Sequence, residues 1–181
     1  MTIQIRPILP TICLTVITCA VWFCQTVTGG DIFTYHTDST LSDYLLYHFS
    51  HANIFHLLGN LLALWLFRPR LSTVLIAYPI ATLAALLDTL LLSIINYKLY
   101  IISPLPTCGL SALLFASFAR YYVAWHKPIY PILIPIIITA FLPYINWHIH
   151  LLSFLLAYPV FHIWYRLKNP NSQKSKTHTL S

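Results

Sequence analysis

Four polar side chains in an otherwise apolar chain have the types needed to do chemistry together: His56, Asn60, Ser111 and His150. A serine hydroxyl becomes a nucleophile when a histidine nitrogen takes its proton. Further N–H donors can hold the oxyanion that forms when the serine attacks a carbonyl. Sunk below a membrane surface, such a set suits peptide-bond chemistry inside the bilayer. His56 and Asn60 are four residues apart, so one helix face carries both, with Asn60 a turn deeper. Ser111 and His150 come from distant segments, and the elements carrying them must deliver them to one layer.

Composition says what those elements are. The 181 residues are 58% hydrophobic and only 8% charged, with a mean hydropathy of +0.72. A soluble domain carries roughly a quarter charged residues, so the chain falls in the membrane class. The net charge of +6 raises the question of nucleic acid. Yet Arg6, Arg68, Arg70, Arg120, Lys127, Arg166, Lys168, Lys174 and Lys176 flank apolar runs and form no basic stripe with interleaved aromatics. That distribution excludes a nucleic-acid partner and leaves the lipid bilayer. Cys13, Cys19, Cys24 and Cys108 lack any C-x-x-C or zinc spacing and read as small apolar residues in packing or lipid.

Six apolar segments are expected, at about 8–28, 49–67, 71–95, 108–125, 128–142 and 147–165, against a working span length of 17 to 25 residues. Arg68-Pro69-Arg70, His126-Lys127-Pro128 and the stretch from Pro143 to Asn146 mark turns. The first segment follows Arg6 but is too long for a signal-peptide core and has no small-x-small cleavage site, so it counts as a span. With the N-terminus in the cytoplasm, nearly all cations face inward. Lys98 alone faces out, and Asp31, Asp38 and Asp43 share the outer first loop. The positive-inside rule therefore predicts cytoplasmic N- and C-termini. Residues 1–167 form the expected six-helix domain, and 168–181 a basic, disordered cytoplasmic tail.

In that topology spans two, four and six all run from outside to inside. His56, Ser111 and His150 then lie within roughly 5–15 Å of the outer boundary at 1.5 Å per helical residue. Ser103-Pro104-Leu105-Pro106 cannot continue a helix, so span four is expected to begin below the surface with Ser111 at its N-terminus. Free N–H groups and the helix dipole there favour developing negative charge. A lone membrane serine is ordinarily a packing or back-bonding residue, whereas buried histidines are costly and point to function. His48, His51 and His148 are assigned to the wet rim. Asp88, an intramembrane carboxylate, is expected to pair with a histidine or hydroxyl as structural support.

The residues also carry a family resemblance. His51-Ala-Asn-Ile-Phe-His56-Leu-Leu-Gly-Asn60 resembles the second-helix signature of the rhomboid intramembrane serine proteases. Gly109-Leu-Ser111-Ala112 is similar to their nucleophile motif, and Asn146-Trp147-His148-Ile149-His150-Leu-Leu-Ser153 to their histidine segment. The resemblance covers about residues 41–165. It implies an all-α, six-transmembrane-helix bundle with Ser111 as nucleophile and His150 as base, a dyad without aspartate. It further implies an oxyanion site of His56, Asn60 and the Ser111 N–H, with Gly109 keeping the backbone open and Phe115 set against the histidine. No metal or other cofactor is implied. The partner is a transmembrane protein substrate, and the location is the bacterial cytoplasmic membrane.

Three departures accompany it. Ala112 replaces the glycine after the nucleophile, and Leu152 and Ser153 replace the glycines after the histidine. The first outer loop also lacks the family's Trp-Arg motif. Ala112-x-x-x-Ala116 and Ser153-x-x-x-Ala157 nonetheless keep small edges that permit close helix approach. Two rival readings follow. A rhomboid-like protein could bind membrane clients without cleaving them. Alternatively, His51, His56, His148 and His150 could ligate a metal or haem, though no ligand spacing supports this and it leaves Asn60 and Ser111 unexplained.

Overall fold

A computed structural model describes residues 8–29, 40–51, 53–99, 109–124, 134–137 and 147–169. All regular structure among them is helical: α1 (Leu9–Thr28), α2 (Leu41–Leu46), a 3₁₀ turn (Tyr47–Phe49), α3 (Ile54–Phe67), α4 (Leu71–Leu99), α5 (Ser111–Ala124) and α6 (Trp147–Lys168). A short helical stretch occupies 134–137.

The boundaries follow local chemistry. Pro10 opens the first turn of α1, where its missing N–H costs nothing, and Gly29 closes that helix in the left-handed region at φ 66°. Asn53 caps α3 by accepting from the His56 N–H at 2.9 Å. The expected second span, 49–67, is thus only helical from Ile54, because a 3₁₀ turn and the Asn53 cap take up its first residues. Arg68, with φ 44°, ends α3 ahead of Pro69, and the expected turn falls there. Of the expected fifth segment only 134–137 is described; the proline run at 103–106, Lys127 and the tail beyond Asn169 lie outside the described residues.

Among the described residues two helical windows are long and apolar enough to cross a membrane, Leu9–Thr28 and Leu71–Leu91, and Ile54–Phe67 is a shorter apolar helix. The packing pattern is that of helices in lipid. Ala77, Ala81, Ala84 and Ala85 line a fully buried face of α4, as do Ala112, Ala116 and Ala119 on α5 and Ser153 and Ala157 on α6. Large residues such as Phe55, Leu62, Leu66, Leu75 and Ile163 point outward. Lipid tails are as apolar as leucine, so burying leucine gains little and close backbone approach through small residues holds the helices together. α4, α5 and α6 form this tight core, while α3 meets α5 and α1 along narrow seams. Tyr121 donates to the Phe67 carbonyl at 2.9 Å and Trp65 to the Thr15 hydroxyl at 3.1 Å, tying α3 to its neighbours.

Candidate active site

Ser111 is the first residue of α5, and its helix continues from a Leu110 carbonyl that accepts the Leu114 N–H at 2.9 Å. The Ser111 N–H therefore sits among the first-turn donors that a helix leaves unpaired. The Ser111 hydroxyl lies 2.8 Å from His150 Nε2. His150 is one turn into α6, 4% exposed, and its Nδ1 has no hydrogen-bond partner among the described residues. The Phe115 ring fixes the imidazole plane instead, stacking on it at 4.8 Å between centroids with an interplanar angle of 11°. Phe115 is one turn after Ser111, so a single helix face presents both the hydroxyl and the ring.

The seam between α5 and α6 sets that 2.8 Å distance. Ala112 and Ser153 are at most 1% exposed, and Ala116 and Ala157 continue the buried stripe one turn further. The small edges read from the sequence are thus used as packing surfaces.

His56 and Asn60 come from α3 and converge on the loop before Ser111. Gly109 has φ +105°, and a Cβ there would stand 2.6 Å from His56 Cε1 and 3.0 Å from Asn60 Nδ2. Only glycine permits this approach. The Gly109 N–H donates to the Tyr47 carbonyl at 3.0 Å, and the Tyr47 hydroxyl donates to the Ala81 carbonyl at 3.1 Å. The loop is in this way pinned, through the 3₁₀ turn, to α4.

Two histidines depart from expectation. His51 and His48, assigned to the wet rim, are 4% and 0% exposed. His51 Nδ1 lies 3.2 Å from the Phe49 carbonyl and can only donate to it, which leaves Nε2 to accept from Asn60 Nδ2 at 3.1 Å. The chain of bonds fixes the His51 tautomer and turns the Asn60 amide so that its nitrogen keeps one further hydrogen. The His51 ring meets His56 edge-on at 5.1 Å, and the His51 backbone N–H donates to Gln25 Oε1 of α1 at 3.2 Å. His48 Nε2 lies 3.3 Å from the Thr82 hydroxyl. The bonds that bury both residues are tertiary, beyond the reach of helical spacing.

The His148 side chain is 30% exposed, and its Nδ1 stands 3.3 Å from the buried carboxylate of Asp88. The expected pairing of Asp88 with a histidine is therefore observed. For the rival metal reading, no three potential ligands gather among the described residues.

A cavity of about 390 Å³ runs from Asn60 and Ser111 along α3 and α5, past Ala63, Phe67, Phe115 and Phe118, to Tyr121 and Tyr122, with Pro135 on its far wall. It occupies the wide part of the α3–α5 seam. The arrangement can thus offer a hydroxyl bonded to an imidazole, N–H donors on the facing helix, and an apolar channel between them.

The family model for the rhomboid domain matches residues 38–164, spanning α2 through most of α6. No curated protein and no solved structure matches the chain.

Proposed function

The chain belongs to the rhomboid family of integral membrane proteins, and we propose that it is an intramembrane serine endopeptidase working through a Ser111–His150 dyad. The observation that carries this reading is the 2.8 Å contact between the Ser111 hydroxyl and His150 Nε2 inside a membrane-protein core. In the proposed cycle His150 takes the hydroxyl proton as Ser111 attacks a carbonyl of the substrate. The resulting imidazolium passes that proton to the leaving amine, and an acyl-enzyme remains. Water then attacks the ester with His150 again as base, which frees the new carboxylate and restores the serine. His56, the second amide hydrogen of Asn60 and the Ser111 N–H are the oxyanion donors. Gly109 supplies the space beside them, and Phe115 holds the base in plane.

In this reading six segments cross the bacterial cytoplasmic membrane with both termini inside, residues 1–167 form the domain, and the site lies near the outer surface. The substrate is a transmembrane segment of another protein. Its helix must unwind to expose a carbonyl, so cleavage is expected where glycine or other helix-weakening residues interrupt it. The apolar channel between α3 and α5 has the width and character to take the unwound strand's side chains.

A second reading, a rhomboid-like protein that binds clients without cleaving them, is favoured by the replacement of three family glycines with Ala112, Leu152 and Ser153. Proteoliposomes carrying a single-span substrate with a glycine-rich outer third separate the two. Product formed by wild type and absent with Ser111→Ala supports the protease. Equal cleavage by both proteins sinks it, and capture that survives loss of Ser111 and His150 without product supports the client binder.

A further inference from the structure

The end of the bundle opposite the dyad holds a cluster of cations that the proposed proteolysis does not use. Arg120 lies nine residues after Ser111 on α5, about 13 Å further along the axis. Its Nη1 donates to the hydroxyls of Thr73 and, at 3.5 Å, Ser72 at the start of α4, and its guanidinium lies 4.8 Å from the centroid of the Trp164 ring on α6. The same ring is met by Lys168 Nζ at 4.5 Å. Arg70, which precedes α4 and whose carbonyl caps it, acts on Arg120 as a like charge. The ends of three helices therefore gather three positive groups, two of them on one indole and the third acting on Arg120.

A cation whose only task is to mark the inner side of the membrane extends into water. Arg120 instead turns into the bundle and is half-buried against two hydroxyls and an aromatic face. Among the described residues no carboxylate meets Arg120: Asp43 bonds Thr40 at the start of α2, and Asp88 is engaged with His148 further along α4. Like charges held together in a low-dielectric setting repel and favour an anion from outside.

The surroundings say which anion. Leu71 and Leu75 on α4 and Ile163 and Leu167 on α6 are 56%, 65%, 58% and 76% exposed. They flank the cluster with apolar surface that a free ion would not contact and that an acyl chain would. Arginine and lysine at a membrane boundary, with an indole between them, match a phosphodiester joined to hydrocarbon. We infer that Arg70, Arg120, Lys168, Trp164 and Thr73 form a binding site for the headgroup phosphate of an anionic glycerophospholipid, which ties α4, α5 and α6 together at the face remote from the dyad. Neutralising one cation is expected to weaken binding about fivefold.

The test is native mass spectrometry of the full-length, detergent-solubilised protein titrated with phosphatidylglycerol or phosphatidylcholine. Wild type should retain phosphatidylglycerol at least tenfold more tightly than phosphatidylcholine. Lys168→Gln, which removes an exposed side chain and spares the Arg120 contacts, should lose about fivefold of that preference, and Arg120→Gln with Lys168→Gln nearly all of it. Arg166→Gln, the same charge change on α6 but away from Trp164, should leave it intact. Equal affinity for the two lipids, or an equal loss in Arg166→Gln and Lys168→Gln, would overturn the site. Displacement of the lipid by millimolar inorganic phosphate would also overturn it, reducing it to a free-ion site.

Discussion

Two seams of the bundle do opposite jobs. Between α5 and α6 the facing residues are alanine and serine, the helices touch closely, and nothing is left to adjust; this seam holds Ser111 and His150 at 2.8 Å. Between α3 and α5 the contact is sparse, a cavity of about 390 Å³ lies between the helices, and the oxyanion candidate Asn60 lines it from α3. In the proposed cycle the groups that must be aligned before reaction share the tight seam, while those that would admit a peptide share the open one. A rigid nucleophile and base set beside an open channel reconcile accurate geometry with passage of a bulky substrate.

Changes on the two seams should therefore have different kinetic signatures. Ser111→Ala and His150→Ala remove the dyad itself, and each should lower kcat by at least about 10⁴-fold in the proteoliposome assay. A smaller loss in either would place the chemistry elsewhere. Asn60→Ala removes one oxyanion donor and should cost about 10²–10³ in kcat, with folding checked by the thermal midpoint.

Ser153→Leu tests the tight seam directly. It overpacks a site of 0% exposure, should destabilise by about 1–3 kcal/mol, and should lower kcat by about 10²-fold by displacing His150. Ala63→Leu fills the channel on the open seam instead. It should raise KM by less than about tenfold and leave kcat near wild type, because no aligned group moves. If Ser153→Leu changed only KM and Ala63→Leu only kcat, the division between the seams would be wrong.

Those seams were not equally legible in the sequence. The i, i+4 relation of His56 and Asn60, the serine at a helix start and the small-residue edges of α5 and α6 are all local patterns, and the structure uses each of them. His51 and His48 were not legible, because they lie in and just after the 3₁₀ turn before α3, where distant partners set the path of the chain. Gln25 holds the His51 N–H, Tyr47 reaches Ala81, and Gly109 returns to Tyr47. The only local hint was Asn53, whose cap places the helix start after His51 rather than before it. His51→Ala should consequently cost part of what Asn60→Ala costs, about tenfold in kcat, since it frees the Asn60 amide without removing it. Asp88 was legible as a buried carboxylate in need of a partner, and His148 supplies one.

The account rests on an activated Ser111, and labelling of the detergent-solubilised protein by a fluorescent fluorophosphonate tests that most directly. Wild type should label at a single serine, with the signal lost in Ser111→Ala and His150→Ala and kept, at reduced rate, in Asn60→Ala. Labelling that persists in His150→Ala at the wild-type rate would contradict the dyad.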